Sequence, residues 1–289
     1  MKLGAAWKSL RQAKTGVAVK GPSSLKEKVF SFLASRKDDY RAPGYHPSSM
    51  YKLCPRKAVL DELFPVDPEV FTPGLLMTFD IGHAMHDWWQ NKYLGPMGVL
   101  VGKWQCYNCR EKIGSDTDWK PRPTECESCK SDKGFGYSEI GLKDELLNIV
   151  GHCDGVLLVD GEYCLFELKT INDYGYQTLL GPKSSHRYQV TIYMKLLGIK
   201  KAVIVYINKG KTGQLKEFAI DFDDTMWEDV CFRIKLNEDT KKEMEDNGPS
   251  LDLVDRTPRI CISDSCEMAR WCPQKASCFG REAKVAYKP

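Results

Sequence analysis

Short apolar runs bounded by turn residues recur through the middle of the chain, and segments with a helical period flank them. Apolar runs of this kind predict β-strands, whereas apolar positions that recur every three to four residues predict amphipathic helices. The mixed order of the two favours an α/β protein with helices on the faces of a sheet. Helix 49–63 is expected to begin at an N-cap formed by Ser48 or Ser49. The predicted strands are 99–105, 136–142, 145–151, 153–159, 162–169, 202–208 and 215–221, and the predicted helices are 24–36, 49–63, 75–93, 185–198 and 225–245.

Two of these strands are joined by Asp160-Gly161, a dipeptide typical of the two-residue turn of a β-hairpin. If the strands pair directly across this turn, Asp154 lies opposite Glu167 and both side chains share one face. Cross-strand neighbours sit about 5 Å apart at Cβ, so the two carboxylates would repel by roughly 3 kcal/mol at an effective dielectric of about 20. A divalent cation would remove that repulsion. Lys169 adds a positive charge on the same face.

The two strands of this hairpin carry apolar residues on both faces, which is typical of the buried middle of a sheet covered by helices. The alternative interpretation is a surface hairpin with an acid pair and a solvated lysine. Charges inside a sheet need a partner or a metal, so we favour a functional site. Two acids, one lysine and a hard cation indicate phosphodiester hydrolysis.

This arrangement resembles the PD-(D/E)XK nuclease superfamily, with Asp154 as the first acid and Glu167-Leu168-Lys169 as the E-x-K motif. Other motifs are similar to those of the RecB-type exonuclease branch, and they occur in the same order over roughly residues 50–280. The resemblance implies a restriction-endonuclease-like core with a mixed central sheet flanked by helices. The further motifs are Gly82 to His86 (G-x-x-x-H), Ser138-Glu139, Gly151 to Asp154 (G-x-x-D) and Gln189 to Tyr193 (Q-x-x-x-Y).

The resemblance also implies a metal centre. Asp154, Glu167 and His86 are expected to hold one or two magnesium or manganese ions, which suit carboxylate and imidazole ligands. His83 and His86 lie near one helix face, and the family pattern selects His86. Glu139 is expected to bind a second ion or a water.

The remaining catalytic residues implied by the family pattern are Lys169, Gln189 and Tyr193. Lys169 would orient the attacking water or stabilise the developing charge. Gln189 and Tyr193 lie four residues apart and so share a helix face, from which they would contact the phosphate or Lys169.

Two C-x2-C pairs lie in a segment rich in turn residues. Their spacing is typical of two knuckles that close a tetrahedral zinc site, namely Cys106 with Cys109 and Cys126 with Cys129. The segment has too few apolar residues for a core of its own, so metal binding would supply its folding energy. We interpret the group as a structural, zinc-ribbon-like insert. Its candidates for DNA contact are Trp104, Tyr107, Arg110 and Trp119.

A second group of cysteines resembles the iron-sulfur clasp of AddB proteins and CRISPR-associated RecB-like nucleases, in which one early cysteine joins three late ones. The resemblance implies a four-iron four-sulfur cluster held by Cys54, Cys266, Cys272 and Cys278. The C-x2-C of that family pattern is absent here, so Cys261 is an alternative to one of the last three. Zinc in the same thiolates is the alternative metal.

Composition sets few limits on function. Charged residues make up 28% and hydrophobic residues 42% of the chain, which is ordinary for a soluble globular protein, and a net charge of +3 is too small to indicate nucleic acid by itself. No apolar run is long enough for a signal peptide or a membrane span, so we expect a cytoplasmic protein, in the host cytosol if it is encoded by a phage. The expected divisions are a basic arm and helix (1–48), a helical part (49–105), the zinc insert (106–130), the nuclease core (131–248) and a cysteine cluster (249–289).

The predicted function is a metal-dependent DNA exonuclease that acts on single strands or DNA ends in recombination, repair or phage DNA metabolism. A helicase or recombination protein could be its partner, and no membrane is involved. One alternative is a structure-specific endonuclease of the same fold. Another is a non-catalytic zinc and iron-sulfur DNA-binding module, although every catalytic position of the family pattern holds a chemically competent residue.

Overall fold

The structure is a computed structural model that describes residues 24–36, 42–66, 71–211 and 213–280. The predicted basic arm lies, over residues 1–23, outside the described residues. The described residues fall into two compact units, one holding 24–36 and 71–81 and the other holding 42–66 and the residues from 82 onward. In the first unit, a capping box formed by Ser24 and Glu27 starts the first helix. Arg36 pairs with Asp80 at 2.8 Å.

Each predicted helix and strand has a counterpart in the structure, which also contains short elements that the apolar pattern did not predict. The strands are β1 (Leu100–Cys106), β2 (Lys112–Ile113), β3 (Lys120–Pro121), β4 (Phe135–Ser138), β5 (Ile140–Asp144), β6 (Ile149–Cys153), β7 (Gly155–Val159), β8 (Glu162–Ile171), β9 (Lys201–Asn208) and β10 (Leu215–Asp221). The helices are α1 (Leu25–Ser35), α2 (Pro47–Met50), α3 (Pro55–Leu63), α4 (Pro73–Trp88), α5 (Asp173–Thr178), α6 (Ser184–Leu197), α7 (Asp224–Asn247), α8 (Leu251–Arg256), α9 (Glu267–Arg270) and α10 (Lys275–Phe279). A π-helical segment, Trp89–Leu94, continues α4.

The central sheet has eight strands in the order β10-β9-β8-β7-β1-β2, with β3 and β4 also paired to β1. Strands β8 and β9 run parallel, and the other neighbours run antiparallel. A separate two-stranded sheet pairs β5 with β6. The predicted α/β architecture with a mixed central sheet is therefore confirmed.

Both faces of the central strands are buried. Leu165 of β8 packs in one cluster with residues of α5 and α6, whereas its neighbour Phe166 packs in a second cluster with Leu94 of the π-helical segment. Successive side chains of a strand point to opposite faces, so helical elements cover both sides of the sheet. This is the burial that the apolar strands predict.

The turn between β7 and β8 has the expected conformation. Asp160 and Gly161 both have positive φ values, 51° and 81°, as a type I′ turn requires. Val159 faces Glu162 across the turn, and the ladder continues to Gly155 opposite Phe166. The predicted register is therefore confirmed, and it places Asp154 one step beyond the ladder, next to Glu167.

The tip of the same hairpin is more open than the apolar pattern suggests. Leu158 and Val159 are 39% and 45% exposed, so the predicted burial holds for the middle of β7 and β8 but is wrong at the turn.

Strand β1 pairs with four strands, two along each edge. Trp104 pairs with Ile113 of β2 on one side and Tyr137 of β4 on the other, and Val101 pairs with β3 and β7 in the same way. Because β7 and β2 occupy opposite edges in the strand order, β4 and β7 lie end to end along one edge. Glu139 directly follows β4 and Asp154 directly precedes β7, so both acids lie at this junction.

Three element predictions are wrong in detail. The predicted helix 49–63 is two helices, because Pro55 starts α3 and disfavours helical backbone at Cys54. The predicted serine N-cap is also wrong, since α2 begins at Pro47 and its N-cap is His46. The predicted strand 136–142 breaks at Glu139, and strand 145–151 begins only at Ile149.

The carboxyl-terminal helices pack on α3 through an apolar cluster that joins Val59 and Leu60 to Leu253 and Val254. Buried Arg56 donates to the carbonyl oxygens of Val254 and Thr257. Both ends of this unit are therefore tied together by hydrogen bonds. Within the described part of the chain, no helix is long and apolar enough to cross a membrane.

Candidate active site and cysteine centres

The central strands and two helices bring the predicted catalytic and ion-binding residues together. Glu167 and Lys169 lie on β8, and Asp154 lies immediately before β7. Helix α6 places Gln189 and Tyr193 over the same face, and the last turn of α4 supplies His86. Glu139 enters from the junction between β4 and β5.

Asp154 is held from three sides. Its Oδ2 accepts a hydrogen bond of 2.7 Å from the backbone N–H of Leu168, and its Oδ1 lies 3.1 Å from His86 Nδ1. Gln90 Nε2 donates to the Asp154 carbonyl at 2.7 Å and lies 3.5 Å from Glu139 Oε1. These contacts orient both acids at the junction of β4 and β7.

Glu167, Lys169 and Gln189 form a closed triangle of hydrogen bonds. Lys169 Nζ lies 2.5 Å from Glu167 Oε1 and donates to Gln189 Oε1 at 3.0 Å. Gln189 Nε2 donates to Glu167 Oε1 at 2.8 Å and to the hydroxyl of Tyr193 at 3.3 Å. The amide of Gln189 thus fixes the lysine through its oxygen and the carboxylate through its nitrogen.

One carboxylate oxygen in this triangle is unsatisfied. Glu167 is fully buried, yet its Oε2 has no hydrogen-bond partner among the described residues. A buried carboxylate oxygen without a partner costs free energy, so such an atom needs an explanation. A bound cation supplies one.

The arrangement of donor atoms fits a hard divalent ion. His86, Glu139 and Asp154 each offer one ligand atom, and these atoms lie within 4.8 Å of one another. Ligands about 2.1 Å from one ion are at most about 4.2 Å apart, so these atoms can share an ion after small shifts of the side chains. Glu167 is outside this group, and its free Oε2 is the additional oxygen the site offers. Carboxylate oxygens with one imidazole suit magnesium or manganese.

The electrostatics of the site also favour a cation. Burial, and then the charge of Asp154, raise the pKa of Glu167 to about 7, although Lys169 opposes the shift. Burial and Asp154 likewise raise the pKa of Glu139. For His86, burial opposes protonation, but the hydrogen bond to Asp154 and the nearby carboxylates raise the pKa overall. The positive charges of Lys169 and His86 therefore do not offset the negative charges of the three neighbouring carboxylates.

Lys169 remains protonated in this setting. Burial alone would lower the pKa of its ammonium group, but the charges of Glu167 and Asp154 raise it. A permanent cation next to the acids is thus part of the folded structure.

Three residues behind the site were missed by sequence reasoning. Gln90 could have been found, because it lies four residues after His86 on the same side of the helix. Tyr206 lies beside Lys169 in the parallel ladder, and its hydroxyl is 2.7 Å from His186 Nδ1. Burial, and then the charges of Lys169 and Lys183, lower the pKa of His186 to about 3. This imidazole is therefore neutral.

The four cysteines of the insert converge on one point. The Sγ atoms of Cys106 and Cys129 are 3.8 Å apart, those of Cys109 and Cys126 are 3.6 Å apart, and all four lie within 4.8 Å. Four sulfurs about 2.3 Å from a tetrahedral zinc would be separated by about 3.8 Å, so this geometry fits one ion.

The two halves of this cysteine group are built alike. Each knuckle closes with a backbone hydrogen bond, from Arg110 N to the Cys106 carbonyl and from Lys130 N to the Cys126 carbonyl. Arg110 and Lys130 have φ values of 66° and 54°, so both turns use the same left-handed residue. The repeated backbone geometry presents both sulfur pairs to the same point.

The second cysteine group is more open. Cys54, Cys261, Cys272 and Cys278 line one cavity of about 90 Å³. Burial and a side-chain hydrogen bond with Cys266 raise the pKa of Cys261, so the fifth cysteine lies against the same group. No three of these sulfurs fall within 4.8 Å of one another in the described part of the chain. The choice of four ligands stays a prediction.

The proposed DNA-contacting residues of the insert differ in exposure. Trp104 is only 1% exposed, and its indole N–H donates to the Lys120 carbonyl at 3.0 Å, so its predicted DNA contact is wrong. It belongs to the core because its side chain packs in the apolar cluster that contains Leu94 and Phe135. Tyr107 and Arg110 are exposed, whereas Trp119 packs edge-on against Tyr163.

Comparison with known proteins gives weak likenesses. No protein-family model matches the chain, and no curated protein matches it. An alkaline exonuclease from Laribacter hongkongensis is 15% identical, with a TM-score of 0.42 over 76% of this chain and 94% of its own. A phage-related exonuclease from Haemophilus somnus 129PT is 12% identical, with a TM-score of 0.39 over 71% of this chain and 96% of its own. At these scores, the likeness assigns no activity.

Proposed function

We propose that this protein is a metal-dependent DNA exonuclease of the PD-(D/E)XK type, similar to the RecB branch. The observation that carries the proposal is the buried triangle of Glu167, Lys169 and Gln189 beside Asp154. Far-separated parts of the chain converge there on one lysine and several acids. A structural role does not explain a fully buried glutamate with a free oxygen.

The ion site in this proposal consists of Asp154, Glu139 and His86, with Glu167 Oε2 as a further ligand. A magnesium or manganese ion bound there would polarise the scissile phosphate and lower the pKa of a bound water. Gln90 holds the Asp154 backbone and approaches Glu139, so the geometry of the acids is set before any ligand arrives.

Lys169 is the proposed electrostatic partner of the phosphate. Its ammonium group is protonated and is aimed by Gln189 Oε1, so it can donate to the attacking oxygen or to a non-bridging phosphate oxygen. Tyr193 restrains the Gln189 amide from the next helical turn. Gln189 and Tyr193 act in this proposal as positioning residues.

The test compares end-labelled linear single-stranded DNA with a covalently closed circle of the same sequence, in manganese or in chelator. Wild type should degrade the linear strand only, and only with metal. Lys169→Met should slow degradation by about 10²- to 10³-fold, whereas Lys201→Met, which removes an exposed lysine of the neighbouring strand, should not. Circular dichroism checks that both variants fold.

Other outcomes select other functions. Cutting of the circle would support the endonuclease alternative. If no metal supports cutting of either substrate, the proposal fails and the DNA-binding module becomes the better account. Action in recombination, repair or phage DNA metabolism, a helicase partner and a cytoplasmic location remain predictions.

We also propose structural zinc in the insert and a four-iron four-sulfur cluster in the second cysteine group. The sulfur separations favour this division, because a single ion needs closely spaced ligands whereas each iron of a cluster binds a different cysteine. Elemental analysis for zinc, iron and acid-labile sulfide tests it. Cys129→Ser should lose zinc alone and Cys54→Ser should lose iron alone.

A further inference from the structure

An open groove of about 1030 Å³ is lined by residues of the helical turns that also carry His86 and Gln90. Its walls come from the end of α4, the π-helical segment and the turn that leads into β10. The residues that matter for its chemistry are Met85, Trp88, Trp89, Lys92, Tyr93 and Leu215.

The aromatic side chains of this groove are exposed but held in place. Trp88 and Tyr93 are 49% and 47% exposed. The Tyr93 ring contacts Trp89 edge-on at 5.6 Å and Trp88 edge-on at 6.4 Å, and Trp89 stacks on buried Phe166 at 6.2 Å. The groove therefore presents large ring surfaces to solvent on a rigid support, and exposed apolar surface of this kind marks a binding site.

The charge around the groove suits a polyanion. Lys92 is exposed between the aromatic residues of the π-helical segment and forms no salt bridge with any described residue. Lys209 lies in the turn that also contributes Gly213 to the groove, and it too has no ion pair among the described residues. Of the two, Lys92 lines the groove, and its exposed ammonium group is free to meet a phosphate.

The groove is built on the same helical turns as part of the active site. His86, which contacts Asp154, lies between groove residues Met85 and Trp88, and Gln90 follows Trp89 directly. The same two helical turns thus supply contacts to the acids and walls to the groove.

We propose that this groove binds unstacked bases of single-stranded DNA, with Trp88 and Tyr93 as stacking surfaces and Lys92 as a phosphate contact. Every base has a π-face, so stacking of this kind tolerates any sequence. Bases in a duplex are already stacked on each other, so the groove selects single strands. The choice of DNA as ligand rests on the proposed function.

The test measures binding in chelator, so that no strand is cut. Fluorescence anisotropy compares a labelled dT oligonucleotide with an abasic oligonucleotide of the same length and charge. Wild type should bind the dT strand more tightly, by about 5- to 150-fold for each stacked base. Trp88→Ala/Tyr93→Ala should weaken dT binding by a similar factor and lose the preference over the abasic strand.

Tyr163→Ala is the matched control. Tyr163 is 48% exposed and packs edge-on against Trp119 at 5.3 Å, so it resembles Tyr93 in exposure and in ring contact but lies near the hairpin turn. Its loss should leave both affinities unchanged. Lys92→Met should weaken dT and abasic binding equally and reduce their salt dependence.

The outcomes separate this inference from the proposed function. Equal affinity of wild type for the two strands, or unchanged dT binding by the double variant, overturns the groove as a base-binding site even if the enzyme degrades DNA. A preference for bases that the double variant loses supports the groove even if manganese-dependent degradation is never seen.

Discussion

Strand β8 takes part in two glutamate-lysine pairs that differ in almost everything except their chemistry. Glu162 pairs with Lys201 at 2.7 Å, and the two side chains are 68% and 59% exposed. Glu167 pairs with Lys169 at 2.5 Å, and the corresponding values are 1% and 21%. Lysine lowers the pKa of Glu162, whereas burial raises that of Glu167 despite its lysine.

The two pairs differ in what they contribute to the stability of the fold. An exposed pair contributes little to stability, because water and salt screen it. A buried pair repays the cost of dehydration only when other groups satisfy its atoms, and Glu167 Oε2 is left unsatisfied. The buried pair therefore costs stability in the free protein, which is consistent with a role in binding and catalysis.

The largest expected difference between the two pairs is in activity. Lys169→Met removes a charge aimed at the substrate, so the initial rate of DNA degradation should fall by about 10²- to 10³-fold. Lys201→Met should stay within about twofold of wild type. Equal losses in the two variants would mean that the buried pair has no special role.

The second difference is in the pH dependence of stability, measured by urea unfolding in chelator. The pKa of Glu167 rises from 4.5 when unfolded to about 7 when folded. The contribution of Glu167 to the free energy of unfolding is thus fully present below about pH 4.5. It is lost as the pH rises through about 7, a change on the order of 3 kcal/mol. Glu167→Gln should flatten this decline.

Glu162 should behave in the opposite sense, because its folded pKa is lowered. Its contribution is present above the unfolded pKa and is lost as the pH falls through the folded value. Glu162→Gln should therefore leave the decline toward neutral pH intact. A decline that Glu162→Gln removes and Glu167→Gln preserves would reverse the assignment.

The third difference is in the response to metal. Manganese should raise the melting temperature of wild type at neutral pH, and the stabilisation is about 2.7 kcal/mol at one hundred times the dissociation constant. Asp154→Asn should lose most of this gain, and Glu162→Gln should keep it. Differential scanning fluorimetry with increasing manganese gives both results, and a gain that survives Asp154→Asn would place the ion elsewhere.

The smallest effect concerns the turn beside the exposed pair. Gly161 has a φ of +81° and no atom near the position of an added Cβ, so Gly161→Ala costs only backbone strain, about 1 kcal/mol. Gly181→Ala, also in open space but without a positive φ, is the control. Neither change should alter the rate of degradation, because the active site lies at the other end of the hairpin.

Short-range patterns predicted the part of the site that one turn controls. Asp160-Gly161 determines the register of β7 and β8, so the neighbouring positions of Asp154 and Glu167 followed from the sequence. The choice of His86 over His83 did not follow from its helix, because both lie near one face, and it came from family resemblance. In the structure, His86 is the one that contacts Asp154.

Long-range packing was beyond such patterns. The meeting of Glu139 with Asp154 depends on two strands that share an edge of β1, which no local signal reveals. Trp104 lies between Lys103 and Gln105, yet its side chain packs in a cluster with Leu94 and Phe166 from other elements. The zinc site could be predicted from the sequence because each C-x2-C pair is local. The second cysteine group joins positions some two hundred residues apart, and its set of four ligands stays a prediction.

The zinc insert begins and ends at neighbouring positions of the sheet, because Cys106 of β1 pairs with Phe135 of β4. Strands β1 and β4 therefore form a hairpin, and residues 107–134 are its loop. The entropy of closing a loop grows only slowly with its length, by about 0.6 kcal/mol for each doubling. A zinc ion bound by the four cysteines would hold the two ends of this loop together. The loop could then change in length or sequence without moving β4 or Glu139, which follows it.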